Sequence, residues 1–162
     1  MRRTAAVAAL AVALSALAAL AGCGFTPLYA DPQLGGLSRV AVSTPDDRLG
    51  YRVREQVEDA LGRTPGVAPS HRLAIALDPQ RRPRGRRIDD TAVRYELVIT
   101  ADWTLTPAAG GTPVTGREIV TTTYAAADQP YAAIAAQQDG EERAAAELAR
   151  RLRLALIRAL AE

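Results

Sequence analysis

Apolar and polar positions alternate most clearly from Val93 onward, where Val93, Tyr95, Leu97, Ile99, Ala101, Trp103 and Leu105 share one face. Arg94, Glu96, Thr100, Asp102 and Thr104 take the other face, with Val98 the exception. Period two with one buried and one wet face predicts a long β-strand. Leu73, Ile75 and Leu77 alternate in the same way and predict another strand. Ser38–Ser43, with Val40 and Val42 on one side, predicts a short one. Val114–Tyr124, rich in threonine and valine, predicts a fourth strand, whose facing is ambiguous because Ile119 and Val120 point to opposite sides.

Two segments follow a helical period instead. Leu49, Val53, Val57 and Leu61 recur every fourth residue after the turn Thr44-Pro-Asp-Asp47, which suits an amphipathic helix ended by Gly62 and Pro65-Gly66. The last helix starts near Pro130, with Asp128 as a cap and the proline in the first turn. Its main stripe is Ala145, Leu148, Leu152, Ala155 and Ala159, and Gly140 is a point where it could break. Leu154 and Ile157 fall on the opposite side, which a free two-layer domain would leave wet. The order strand, helix, three strands, helix implies a parallel first crossover followed by an antiparallel meander. The expected fold is an α/β two-layer sandwich, with both helices on one face of a mixed four-stranded sheet.

Residues 1–22 follow neither period. Arg2 and Arg3 precede an uncharged, alanine-rich run from Thr4 to Ala21, the charged start and apolar body of an export signal. No polar flank follows to hold it as a membrane span. Leu20-Ala-Gly-Cys23 then resembles the lipobox of bacterial lipoproteins, in which the thiol is diacylglycerated and the chain is cut before it. Cys23 is the sole cysteine, so lipidation gives it a purpose and leaves the fold without an intramolecular disulfide. Acyl chains contribute about 0.8 kcal/mol per buried methylene, so two or three make a lasting anchor. Gly24, where an aspartate would signal retention, resembles lipoproteins passed on to the outer membrane. The domain plan is therefore a signal peptide at 1–22, a lipidated extended tether at 23–37 and a single domain at 38–162.

The chain carries a formal charge of +2, with 20 basic and 18 acidic residues, all the basic ones arginine. Loss of Arg2 and Arg3 with the leader brings the mature chain to balance. Catalytic constellations are scarce. His71 is the sole histidine and the one thiol is assigned to lipid, so a zinc site is not expected. The pairs Asp46-Asp47, Asp89-Asp90 and Glu141-Glu142 are adjacent, which puts their carboxylates on different faces rather than around one reacting atom. The reading is a protein without enzymatic activity, cofactor or metal.

One charged segment stands out. Gln80-Arg-Arg-Pro-Arg-Gly-Arg-Arg-Ile88 places five arginines in seven positions: Arg81, Arg82, Arg84, Arg86 and Arg87. Arg82-Pro-Arg-Gly85 suits a type I turn, so the arginines would crown a protruding hairpin. Guanidinium forks grip phosphate oxygens and stay charged at any relevant pH. For an exported, membrane-tethered chain the phosphate partner would be lipopolysaccharide rather than nucleic acid. A solubilising tip suits the same residues, and the sequence leaves both readings open.

The start Cys23-Gly-Phe-Thr-Pro-Leu-Tyr29, the order of elements and the stretch Ala136–Arg143 opening the last helix together resemble the LptE family of lipopolysaccharide-assembly lipoproteins, in its alphaproteobacterial form. The resemblance implies a non-enzymatic, lipid-anchored subunit on the periplasmic face of the outer membrane. It would plug an LptD-like β-barrel, assist its assembly and contact lipopolysaccharide. Phe25 and Tyr29 would then lie on the path from lipid into the barrel, and Leu154 and Ile157 would be covered by it. The alternative is a lipoprotein accessory of an ABC-type lipid transporter.

Overall fold

A computed structural model describes residues 34–86 and 92–161. The leader, Cys23, Phe25 and Tyr29 lie outside the described residues, as does Arg87. One compact unit begins at Pro32 and runs to the C-terminus. Its elements are α1 (Leu34–Leu37), β1 (Val40–Ser43), α2 (Arg48–Ala60), β2 (His71–Arg86), β3 (Ala92–Pro107), β4 (Val114–Ala125) and α3 (Pro130–Ala161). The strands form one sheet in the order β1-β2-β3-β4. β1 and β2 pair in parallel, and the remaining pairs are antiparallel. The fold is the expected α/β two-layer sandwich with a mixed four-stranded sheet.

The core is the overlap of the stripes read from the sequence. Val53 and Val57 of α2, Leu73 and Ile75 of β2, and Leu97, Ile99, Ala101, Trp103 and Leu105 of β3 are all buried with Leu148, Leu152 and Leu156 of α3. Each fully buried aliphatic side chain is worth about 1.5–3 kcal/mol relative to exposure. Asp47 caps α2, its Oδ1 accepting from the Gly50 amide at 2.6 Å. The facing of β4 is now settled: Val120 and Tyr124 point inward, and Ile119 is half exposed.

Four local expectations are corrected. Leu34–Leu37, placed in an extended tether, forms a helical turn whose Leu37 enters the core. Val93, assigned to the buried face, is 38% exposed because it lies near the free end of β3, beyond the helices' cover. Gly140 does not break α3, which runs unbroken for 32 residues. There the missing side chain makes room for Tyr124, since a Cβ at Gly140 would stand 2.7 Å from the ring.

The fourth correction is the largest. Arg82-Pro-Arg-Gly85 is strand, not turn: Arg82 lies opposite Glu96, Pro83 opposite Tyr95 and Arg84 opposite Arg94. Pro83 suits a turn in the sequence, yet β1 pairs only with His71–Ala74, short of both Pro79 and Pro83. Among the described residues the far half of β2 therefore has a free edge, where proline's missing N–H is tolerated.

Candidate functional site

The basic segment occupies the far half of the β2–β3 hairpin, and the strand period splits it between two faces. Arg81 is on the helix side, its guanidinium 4.6 Å from the centroid of the Tyr95 ring, a cation–π contact. Arg82 and Arg84 are exposed and project from the opposite face. Arg84 is engaged there by Glu96, with Nε and Nη2 donating to Oε2 at 3.0 and 2.6 Å. Arg86 ends the strand, and its side chain is outside the described set together with Arg87. The five arginines therefore do not crown one turn.

The register adds a cation that the turn assignment hid. Arg94 lies directly opposite Arg84 and is exposed. The outer face of the hairpin so carries Arg82, Arg84 and Arg94 around the carboxylate of Glu96. Parity puts Arg94 on the wet face of its strand, but its place opposite Arg84 follows only once β2 runs on past Arg84.

On the helix side, Arg81 and Tyr95 rim a cavity of about 470 Å³ closed by Tyr124, Ile134 and Gln137. Ala125, Ala126 and Ala127, at and just after the end of β4, line it together with Ala133 of α3. Tyr124 is buried with its hydroxyl unpartnered among the described residues. Arg81 supplies a cation and Asp128 a carboxylate to a cavity whose apolar wall is made of the Tyr95 and Tyr124 rings, Ile134 and the alanines.

The residues expected to face a partner separate. Leu154 is 55% exposed on α3, whereas Ile157 is half-buried and packs against the core. Further exposed apolar side chains occur at Tyr131 and Ile134 near the start of α3, and at Ile119 on β4. Among the described residues there is no cluster of potential metal ligands, and no helix is long and apolar enough to cross a membrane.

Strand order and helix placement define the class as a two-layer α/β domain with an overhanging basic hairpin. The family model for LptE, lipopolysaccharide assembly, matches residues 37–156. The chain belongs to the LptE family. A protein of Caulobacter crescentus CB15, described as a lipoprotein, has a crystal structure similar to this one at 47% identity and a TM-score of 0.69. That match covers 80% of this chain and 95% of the other. A minor lipoprotein from Acinetobacter baumannii shares the fold at 12% identity and a TM-score of 0.52, over 72% of this chain and 87% of the other. No curated protein matches the sequence.

Proposed function

We propose that this chain is a non-enzymatic, lipid-anchored subunit of the outer-membrane lipopolysaccharide translocon. In this reading Cys23 carries the lipid and holds the domain on the periplasmic face. The domain plugs an LptD-like β-barrel and assists its assembly, and the basic hairpin contacts lipopolysaccharide. Family membership over residues 37–156 is the observation that carries the reading. The hairpin's chemistry supports its last part: lipid A offers phosphates for Arg82, Arg84 and Arg94, and acyl chains for the apolar wall beside Arg81. Arg86 and Arg87 extend the same run in sequence. Because Arg84 must exchange Glu96 for a phosphate, its contribution is smaller than that of a free guanidinium. Exposed charges are screened beyond about 8 Å at physiological salt, so affinity is modest and falls steeply with ionic strength.

Replacing Arg81, Arg82, Arg84, Arg86 and Arg87 with Gln tests the contact. Hydrogen bonds to charged groups contribute roughly 1.5–3 kcal/mol each when well formed, so lipopolysaccharide binding falls at least tenfold. Dephosphorylated lipid A binds both versions alike. Equal binding of intact lipopolysaccharide by the variant and the wild type reduces the hairpin to a solubilising tip.

A further inference from the structure

Among the described residues β4 is the last strand of the sheet, so one side of Val114–Ala125 has no strand partner there. Its stretch Ile119-Val-Thr-Thr-Thr-Tyr124 contains no charge, proline or glycine, and all but the tyrosine are β-branched. Short uncharged segments of high β-propensity on an open edge are templates for pairing with another chain. The far half of β2, on the opposite side of the sheet, is protected by Pro79 and Pro83. β4 has no such residue between Thr115 and Ala125.

Two side chains of α3 reach over that edge instead. Arg143 Nη2 donates to the Thr123 carbonyl at 3.1 Å, and Arg151 Nη1 donates to the Ile119 carbonyl at 2.8 Å. Each arginine is steadied by an acid one helical turn earlier, Arg143 by Asp139 and Arg151 by Glu147. The spacings match. Eight residues of helix rise about 12 Å, and four residues of strand span about 13 Å. Since α3 runs antiparallel to β4 in this region, the arginines fall on two outward carbonyls with Thr121 between them.

We infer that the free edge of β4 is a strand-pairing surface for a second copy of this chain, and that Arg143 and Arg151 hold it closed. A second copy is the occupant because antiparallel pairing of this edge with itself is two-fold symmetric. Thr121 then lies at the centre, opposite the Thr121 of the other copy, and the uncharged segment meets its own sequence without opposed charges. The arginines occupy acceptors that such pairing needs, and their cationic heads repel the same heads on an approaching copy.

The test uses the full chain bearing Thr121→Cys, purified in detergent with more micelles than chains, then oxidised and scored for disulfide-linked dimer. A chain retaining Thr121 sets the background. With both arginines present the dimer stays near background. Arg143→Ala/Arg151→Ala raises it at least about fivefold, the factor that losing two modest hydrogen bonds implies. Arg150→Ala/Arg158→Ala removes the same charge from exposed positions of α3 that cap no carbonyl, and it leaves the yield unchanged. Each single variant, Arg143→Ala or Arg151→Ala, gives an intermediate yield, and these decide the matter should circular dichroism show the double variant unfolded. Equal dimer in the capping and charge-matched variants overturns the inference. So does a high yield with both arginines intact.

Discussion

Arg48 and Glu141, 93 residues apart in the chain, meet at 2.9 Å and join α2 to α3. Glu141 is the one charged residue buried among those described, at 8% exposure. Arg48 Nη2 stands 2.9 Å from each carboxylate oxygen but is aligned for a hydrogen bond only with Oε1, which also accepts from Gln137 Nε2 at 2.8 Å. Oε2 is left to the charge attraction alone.

Arg48→Ala leaves that carboxylate buried without its cation. Half of the Arg48 side chain is solvent-exposed, which discounts the pair, so the expected cost is about 1–2 kcal/mol. Urea denaturation of Arg48→Ala and of Arg158→Ala, an exposed control, measures it. Equal midpoints for the two variants would show that the bridge contributes nothing.

Gly140→Ala sets two effects against each other. Alanine in a helix interior gains about 1 kcal/mol over glycine, while crowding a packed core costs typically about 1–3 kcal/mol. The new Cβ meets the Tyr124 ring at 2.7 Å, and that ring is buried with little room to retreat. Net destabilisation is therefore expected, read as a lowered denaturation midpoint. A stabilised variant would mean that Tyr124 moves freely.

Two of the described carboxylates titrate low. The hydrogen bond from Arg117 holds Asp102 below the usual aspartate range. Hydrogen bonds from Arg151, then Arg150, do the same for Glu147. A depressed folded-state pKa means that the stabilisation is present above the unfolded value and is lost as pH falls through the folded one. These pairs therefore weaken only below about pH 4, the ordinary carboxylate region. Carboxyl NMR titration checks this, with Arg117→Gln expected to return Asp102 toward its ordinary value.

Lipidation is read at the modified atom. A fatty-acid probe fed to cells labels the wild-type chain and not Cys23→Ser. Equal labelling of both removes the anchor from the account.

How much of this was legible in the sequence depends on whether one local signal sufficed. The buried stripes of α2 and β3 were readable because every second or every fourth residue agrees. The facing of β4 was not, because Ile119 and Val120 are both apolar and the side is selected by contacts made across the chain, Val120 opposite the buried Ile99 and Tyr124 against Gly140. Proline misled at Pro83, since whether it ends a strand depends on whether a neighbouring strand needs its N–H. That is a property of the sheet, and β1 is too short to reach. The same error concealed that Arg94 stands opposite Arg84 and made the basic cluster look one-sided. The edge caps Arg143 and Arg151 could not be seen at all, because their partners are backbone carbonyls and carry no side-chain signature.

The central claim, membership of an outer-membrane lipopolysaccharide translocon, meets its most direct test in purification of the affinity-tagged full chain from outer membranes in mild detergent. The account predicts that a large β-barrel protein co-purifies with it in a stable complex, through an extensive interface depleted of charge at its centre. Depleting this chain from cells should lower the amount of correctly assembled barrel. Recovery of the chain alone, from membranes in which that barrel is abundant, would contradict the account.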